Sequence, residues 1–305
     1  MPDRRLQVFA TVAKLLSFTK AAEVLHMTQP AVTFQIRQME EYLNTRLFDR
    51  THNRISLTEA GHTVKRYADR ILDLYKEMDN EVRTLIGDMQ GPLLVGASTT
   101  IGEYFLPEVI GEFQSRFPDV IVRLNITNTN GVIELVEENE IDIGIVEGPV
   151  NNKTLVTKSI WDDELVLACA VGHELSKRKK VDIDSILDYP FICREEGSGT
   201  REVLNEYLGG FDLDIDQLNV TMEFGSPESI KNVVAAGLGI TIISIATMEK
   251  ELALDTLCAI PLSQPLRRPF TIVYQRQQFR LWAMGEFLKF AIQYCQTKEL
   301  PKQQH

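Results

Sequence analysis

The chain has 305 residues, 44% hydrophobic and 25% charged, with a formal net charge of −11 at pH 7. That is the composition of a soluble globular protein with room for about two or three compact units. No apolar run is long enough to span a bilayer and no apolar signal core opens the chain, so a membrane role is excluded and a cytoplasmic protein is expected.

The four cysteines, Cys169, Cys193, Cys258 and Cys295, lie far apart without paired spacing and read as free thiols in a reducing compartment, small buried residues first and a redox switch at Cys169 or Cys193 the alternative. Leu6, Phe9, Ala13 and Leu16 mark a first amphipathic helix. Two shorter helices follow, broken by a tight turn. The first offers Ala21, Ala22 and Leu25 as its packing face. The second begins after Thr28, a good N-cap, and carries Pro30 in its first turn, where a missing N–H costs little. Its apolar stripe is Val32, Ile36, Met39 and Leu43. Thr28, Gln29, Pro30, Thr33, Phe34 and Arg37 are left near the start of the free face.

A rod with such a face can lie in the major groove of DNA. Glutamine pairs with adenine, arginine with guanine or phosphate, and threonine with a base edge or a thymine methyl. A plain helical hairpin with a solvated polar face is the alternative. Leu47–Arg50 and Arg54–Thr58 then read as two short strands joined by a turn at Thr51-His52-Asn53. This wing places Arg50 and Arg54 to reach phosphates or the minor groove. Residues 1–62 carry an excess of two positive charges, and residues 63–305 a net −13. The acidic part is repelled by a duplex, and the small basic excess calls for paired copies on DNA.

From Thr58 to Leu85 the pattern is one long helix of roughly 42 Å. Val64, Ile71, Met78 and Leu85 recur every seven residues, with Ala68, Tyr75 and Val82 between them. Such a seam predicts a helix that pairs with a second copy, the alternative being a helix packed on its own domain. Gly87-Asp88-Met89-Gln90-Gly91-Pro92 ends it as a hinge.

Beyond the hinge, strands and helices alternate. Strands are expected at Leu93–Ala97, Val120–Ile126, Ile141–Val146, Leu165–Val171, Phe191–Cys193, Val220–Phe224, Ile240–Ile243 and Phe270–Tyr274. Helices fit Leu106–Phe117, Arg201–Leu208, Glu228–Ala236 and Leu281–Tyr294. This alternation predicts a mainly parallel sheet covered on both faces. Ligands on such sheets sit beyond strand ends, at helix starts, where hydroxyls and free N–H groups favour an anion. Ser98-Thr99-Thr100 and the string Glu195–Arg201 fit that rule. Arg194 and Arg201 are expected to neutralise the anion or to pair with Glu195, Glu196 or Glu202.

Phe9, Ser17-Phe18-Thr19, Ala21-Ala22, Leu25, Thr28-Gln29-Pro30-Ala31-Val32, Ile36, Leu43, Leu47-Phe48, Arg50 and Leu57-Thr58-Glu59-Ala60-Gly61 occur in an order and spacing that resemble the DNA-binding domain of the LysR-type transcriptional regulators. The resemblance implies an α/β chain with an N-terminal winged helix-turn-helix (1–60), a linker and dimerisation helix (58–87) and a hinge (88–92). A two-lobed effector domain built like a solute-binding protein follows (93–305). Its first lobe spans about 93–162 and 269–296, its second about 163–268. Ser98, Thr99 and Thr100 then match the first-lobe effector loop, and Ser198, Gly199 and Thr200 the second-lobe side. Thr127, Asn128 and Glu147, at neighbouring strand ends, complete the site. Glu147 is awkward for an anion and suits an amine, a hydroxyl or water. The string Glu195–Arg201 most resembles the sulfur-assimilation and Calvin-cycle regulators.

The expected partners are double-stranded DNA, a small anionic effector, a second or further copies in a homodimer or homotetramer, and RNA polymerase if the protein activates. No cofactor is expected: Gly237-Leu238-Gly239 lacks the third glycine of a dinucleotide loop, and the five histidines show no metal spacing. An enzyme on the two-lobed fold and a solute-binding protein are the rival readings.

Overall fold

The computed structural model describes residues 4–51, 54–85, 92–148, 150, 152–276 and 282–297. The chain divides into two compact units, Met1–Asp88 and Met89–His305. The expected hinge at 88–92 lies outside the described residues except for Pro92.

In the first unit, α1 (Arg4–Leu15), α2 (Phe18–Val24) and α3 (Gln29–Leu43) precede a hairpin of β1 (Phe48–Thr51) and β2 (Arg54–Leu57), and α4 (Glu59–Leu85) follows. Ser17 accepts from the Lys20 N–H at 3.3 Å and Thr28 from the Ala31 N–H at 3.4 Å. Each cap satisfies a donor that a helix start leaves without a partner. Leu16, expected on the apolar face of the first helix, lies past its end instead, with φ 45° and an exposed side chain. Leu43 is exposed as well, so the stripe of α3 stops at Met39. The core joins Val8, Phe9, Val12, Phe18, Ala21, Ala22, Val32, Ile36, Leu47 and Phe48. Gly61 lets the first turn of α4 close on the chain just before β1: a Cβ there would lie 2.1 Å from the Leu47 carbonyl oxygen.

The second unit contains β3 (Pro92–Ser98), α5 (Leu106–Arg116), β4 (Ile121–Thr127), α6 (Thr129–Glu137), β5 (Ile143–Glu147) and β6 (Leu155–Ala170). It continues with β7 (Phe191–Arg194), α7 (Gly199–Gly209), β8 (Val220–Phe224), α8 (Pro227–Ala235), β9 (Thr241–Ser244), α9 (Glu249–Ala253), β10 (Leu257–Ile260), β11 (Leu266–Gln275) and α10 (Trp282–Thr297). The sheet is mixed, not mainly parallel. β3 pairs parallel with β4 and β5, whereas β11 runs antiparallel to β5 and β6, and β6 antiparallel to β9 and β10. The cause is the length of β6 and β11, two opposed strands that the βαβ rhythm did not anticipate.

The apolar side chains form separate cores along these two strands. Leu93, Val95, Phe113, Phe270, Ile272 and Phe287 gather under α5 and α10, and Val132, Val136, Val146 and Val273 under α6. Further along, Leu165, Leu167, Ile242, Ile260 and Leu266 form one core with α7, and Val166, Ala168, Ile230 and Val234 another with α8. We refer to these halves as the first and second lobes. Between them the β6–β11 ladder shifts register: Phe270 faces Trp161 and Thr271 faces Ser159, leaving Ile160 unpaired as a β-bulge.

Candidate functional site

Gln29, Pro30, Thr33, Phe34 and Arg37 line one open cleft of about 360 Å³ on α3. Val32 and Ile36 anchor the opposite face in the core, so the helix cannot roll these residues inward. The Gln29 Nε2 donates to Thr33 Oγ1 at 3.1 Å, which holds the amide along the helix surface. Phe34 is 57% exposed. Arg37 sits 3.6 Å from Glu41, both exposed, a pairing that DNA can displace at small cost. Thr28 is committed to capping through its hydroxyl. The side chains of Arg50 and Arg54 lie outside the described residues.

Along α4 the heptad positions divide. Ala68 is buried and Val64 packs against the winged-helix core, so the start of the seam belongs to its own domain. Ile71, Met78 and Val82 are exposed, as are Tyr67 and Leu74. Leu85 lies outside the described side chains.

In the second unit, the predicted effector residues converge where the lobes meet. Ser98 at the end of β3 donates to the Glu147 carboxylate, itself 1% exposed. The Thr100 hydroxyl acts to favour the charged form of Glu147. Burial pushes this carboxyl above its ordinary value, against the opposing pull of Arg268, Arg194 and the Thr100 hydroxyl. Glu147 therefore takes hydroxyl partners from its own lobe. Thr99 donates to the Thr127 carbonyl at 3.3 Å. Asn128 is the N-cap of α6, accepting from the Gly131 N–H at 2.9 Å, while its Nδ2 reaches the Glu196 carbonyl at 3.3 Å across the cleft.

The second-lobe side presses on the first through backbone. A Cβ on Gly199 would stand 1.9 Å from the Glu147 carbonyl oxygen, so no other residue fits without parting the lobes. Thr200 accepts from Arg268 Nη1 at 2.8 Å. Ser198, the N-cap of α7, makes no capping bond, and its Oγ is buried without a partner. Arg194 pairs with Glu195 as expected, at 2.8 Å, but Arg201 pairs with Glu223 rather than with a neighbour in sequence. α7 points Arg201 back across β7 and β8, where the Arg194 carbonyl also accepts from it at 3.0 Å.

Sequence reasoning missed the cations that organise the site. Arg268 is 1% exposed and donates from Nε to Asp163 Oδ2 at 2.9 Å, with Glu147 at 3.8 Å and one terminal nitrogen buried without a partner. Lys231 is equally buried, bonded to the Thr247 carbonyl, Glu251 and Glu228 at 2.7, 2.8 and 2.9 Å. Its Nζ stands 5.0 Å from the Tyr104 ring, and the Tyr104 hydroxyl donates to Glu228, a second link between lobes. Lys231 carried a signal: it is four residues after Pro227 and three before Val234, both buried on the same helix face. Among the described residues no group of His, Cys, Asp and Glu could hold a metal ion, and no helix is long and apolar enough to cross a membrane.

Comparison with known proteins bears on the whole chain. Residues 4–62 match the bacterial regulatory helix-turn-helix proteins of the lysR family, and residues 87–296 the LysR substrate binding domain. The chain is 36% identical over 271 residues to a RuBisCO operon transcriptional regulator of Acidithiobacillus ferrooxidans, covering 88% of this chain and 86% of that one. It resembles a full-length OxyR variant of Pseudomonas aeruginosa with TM-score 0.72 at 20% identity, over 96% of this chain and 94% of that one. The regulatory domain of Synechocystis PCC6803 CcmR, solved in complex with 2-PG, aligns with TM-score 0.63 at 29% identity, over 68% of this chain and 99% of that domain.

Proposed function

The chain belongs to the LysR family of DNA-binding transcriptional regulators, and on that premise we propose how its residues divide the work. Residues 1–60 form the winged helix-turn-helix, in which Thr28, Gln29, Pro30, Thr33, Phe34 and Arg37 meet the major groove while Arg50 and Arg54 hold the backbone. Residues 58–87 pair two copies, so that two recognition helices reach half-sites about one helical turn apart or a multiple of it. Residues 88–92 are the hinge to an effector domain whose lobes meet near 162/163 and 268/269. A regulator, not an enzyme, accounts for both family matches. The solute-binding alternative leaves the first unit unexplained.

The effector is a small anionic metabolite bound among Ser98, Thr99, Thr100, Thr127, Asn128, Glu147, Ser198, Gly199 and Thr200. One observation carries this reading: Ser198 Oγ, two residues before Thr200, and one terminal nitrogen of Arg268, whose other terminal nitrogen donates to Thr200, are buried without partners. A buried donor left unsatisfied costs about 1–3 kcal/mol, which anion oxygens would recover. The 2-PG complex of the CcmR domain supports an anion, and the resemblance to a RuBisCO operon regulator supports a metabolite of carbon assimilation. Binding controls transcription only if the ligand prefers one arrangement of the paired subunits. An activating arrangement would present a surface to RNA polymerase in the cytoplasm.

The test is a thermal-shift screen of the full chain against phosphorylated acids, sugar phosphates, sulfur metabolites and neutral sugars. A ligand at a hundred times its Kd should stabilise the second unit by about 2.7 kcal/mol. The reading requires an anion as the hit and its loss in Thr200→Val. Stabilisation by neutral compounds alone would overturn it.

A further inference from the structure

The cysteines that look unrelated in sequence include a facing pair. In the antiparallel ladder of β6 and β10, Cys258 stands directly opposite Cys169. Residues so opposed point to the same face with Cα atoms about 4.5–5.5 Å apart, inside the span that a disulfide requires. Both side chains belong to the core shared with Leu167, Ile260 and Leu175. Cys169 is fully buried, whereas Cys258 is partly open to solvent. Neither other cysteine has such a neighbour: Cys193 faces Glu223 on β8, and Cys295 lies on α10.

We infer that Cys169 and Cys258 form a reversible thiol–disulfide site, oxidised by a peroxide that reaches the pair through Cys258. The Cys258 sulfur attacks one peroxide oxygen and the O–O bond breaks, giving a sulfenic acid and one water. The Cys169 sulfur then displaces the sulfenic hydroxyl, which leaves with the Cys169 proton as a second water. Two thiols lose two electrons and two protons, and the peroxide takes them up. The order follows from access: Cys258 is partly open to solvent, whereas Cys169 is fully buried and burial pushes its thiol up to about 11, so a peroxide meets Cys258 first. The bond would close a loop of about 90 residues that contains β7, β8, β9, α7 and α8. It would staple the second lobe into one piece without touching the Ser98–Glu147 side of the cleft.

The test treats the reduced full-length protein with hydrogen peroxide, quenches in acid, unfolds, alkylates and maps the peptides by mass. The expected result is the joint loss of the Cys169 and Cys258 thiols, their peptides linked with the loss of two hydrogens, and full recovery with dithiothreitol. In Cys169→Ser the other thiol should stop at the sulfenic acid, trapped by dimedone. In Cys258→Ser, Cys169 should resist peroxide. Wild-type peptides in which both thiols remain alkylatable, or in which Cys258 is oxidised while Cys169 is not, would overturn the proposal. So would a link from either to Cys193 or Cys295. The wild-type map decides the matter even where a variant fails to fold.

Discussion

Arg268 and Asp163 face each other directly across β11 and β6, the two strands that run from one lobe to the other, and their side chains bond at 2.9 Å in the buried interior. Asp163 is held in turn by the Ser244 hydroxyl at 2.7 Å, and Arg268 by Thr200. The cation thus pairs with the buried Asp163 and lies 3.8 Å from Glu147, where the lobes join. Arg268→Met should cost about 3–5 kcal/mol, because it leaves Asp163 buried without its ion-pair partner. Urea unfolding of the full chain checks this; a loss no larger than that of a surface substitution would mean that the pair is not structural.

Glu147 predicts an unusual pH dependence. Its folded-state pKa lies above the unfolded value, so the stability it contributes is complete below the ordinary carboxylate range and is lost as pH rises through the folded value. Glu147→Gln should remove that loss. The variant should be more stable than the parent at neutral pH by on the order of 1 kcal/mol, and the two should converge on acidification. Glu228 works in the opposite sense, since hydrogen bonds from Tyr104 and Lys231 lower its pKa and its contribution disappears in acid. Melting curves across pH for both chains would separate the two.

On DNA, Gln29→Ala and Arg50→Ala should fail differently. On the proposed assignment the first should remove a base-edge contact, at about 1–3 kcal/mol of discrimination. The second should remove a phosphate contact, weakening all duplexes alike and flattening the salt dependence by about 0.9 in log–log slope. Titrations on an operator and a scrambled duplex at several salt concentrations measure both; an equal loss of specificity in the two variants would contradict the assignment.

The exposed turns of α4 give a fourth expectation. Ile71→Lys combined with Met78→Lys should dissociate the paired chains while leaving the winged helix folded, because Val64 and Ala68 already pack within their own core. Sedimentation equilibrium of the double variant reports this directly, and an unchanged mass would move the contact elsewhere.

The helices were legible because their signals are local. Thr28, Pro30, Val32 and Ile36 state a cap, a first turn and a buried face within nine residues of sequence. The loops of the candidate site were legible for the same reason, as hydroxyls at the ends of apolar strands. Arg268 was not, since its partners Thr200 and Asp163 stand 68 and 105 residues away and nothing nearby announces that a charge is buried. The first half of β6 was missed because Thr157, Lys158 and Ser159 face solvent and break the apolar pattern. The opposition of Cys169 and Cys258 depends on ladder register, which spacing along the chain does not encode.

The unpaired Ile160 has a consequence for inheritance. Side chains on a strand alternate faces, so one supernumerary residue sets the parity of everything after it. Asp163, Leu165, Leu167 and Cys169 share a side by alternation, and the bulge before them sets which side that is. Deleting that single codon would turn Asp163 away from Arg268 and exchange the two second-lobe cores, whereas many substitutions at Ile160 would leave the count intact. The position should therefore tolerate changes of letter far better than changes of length.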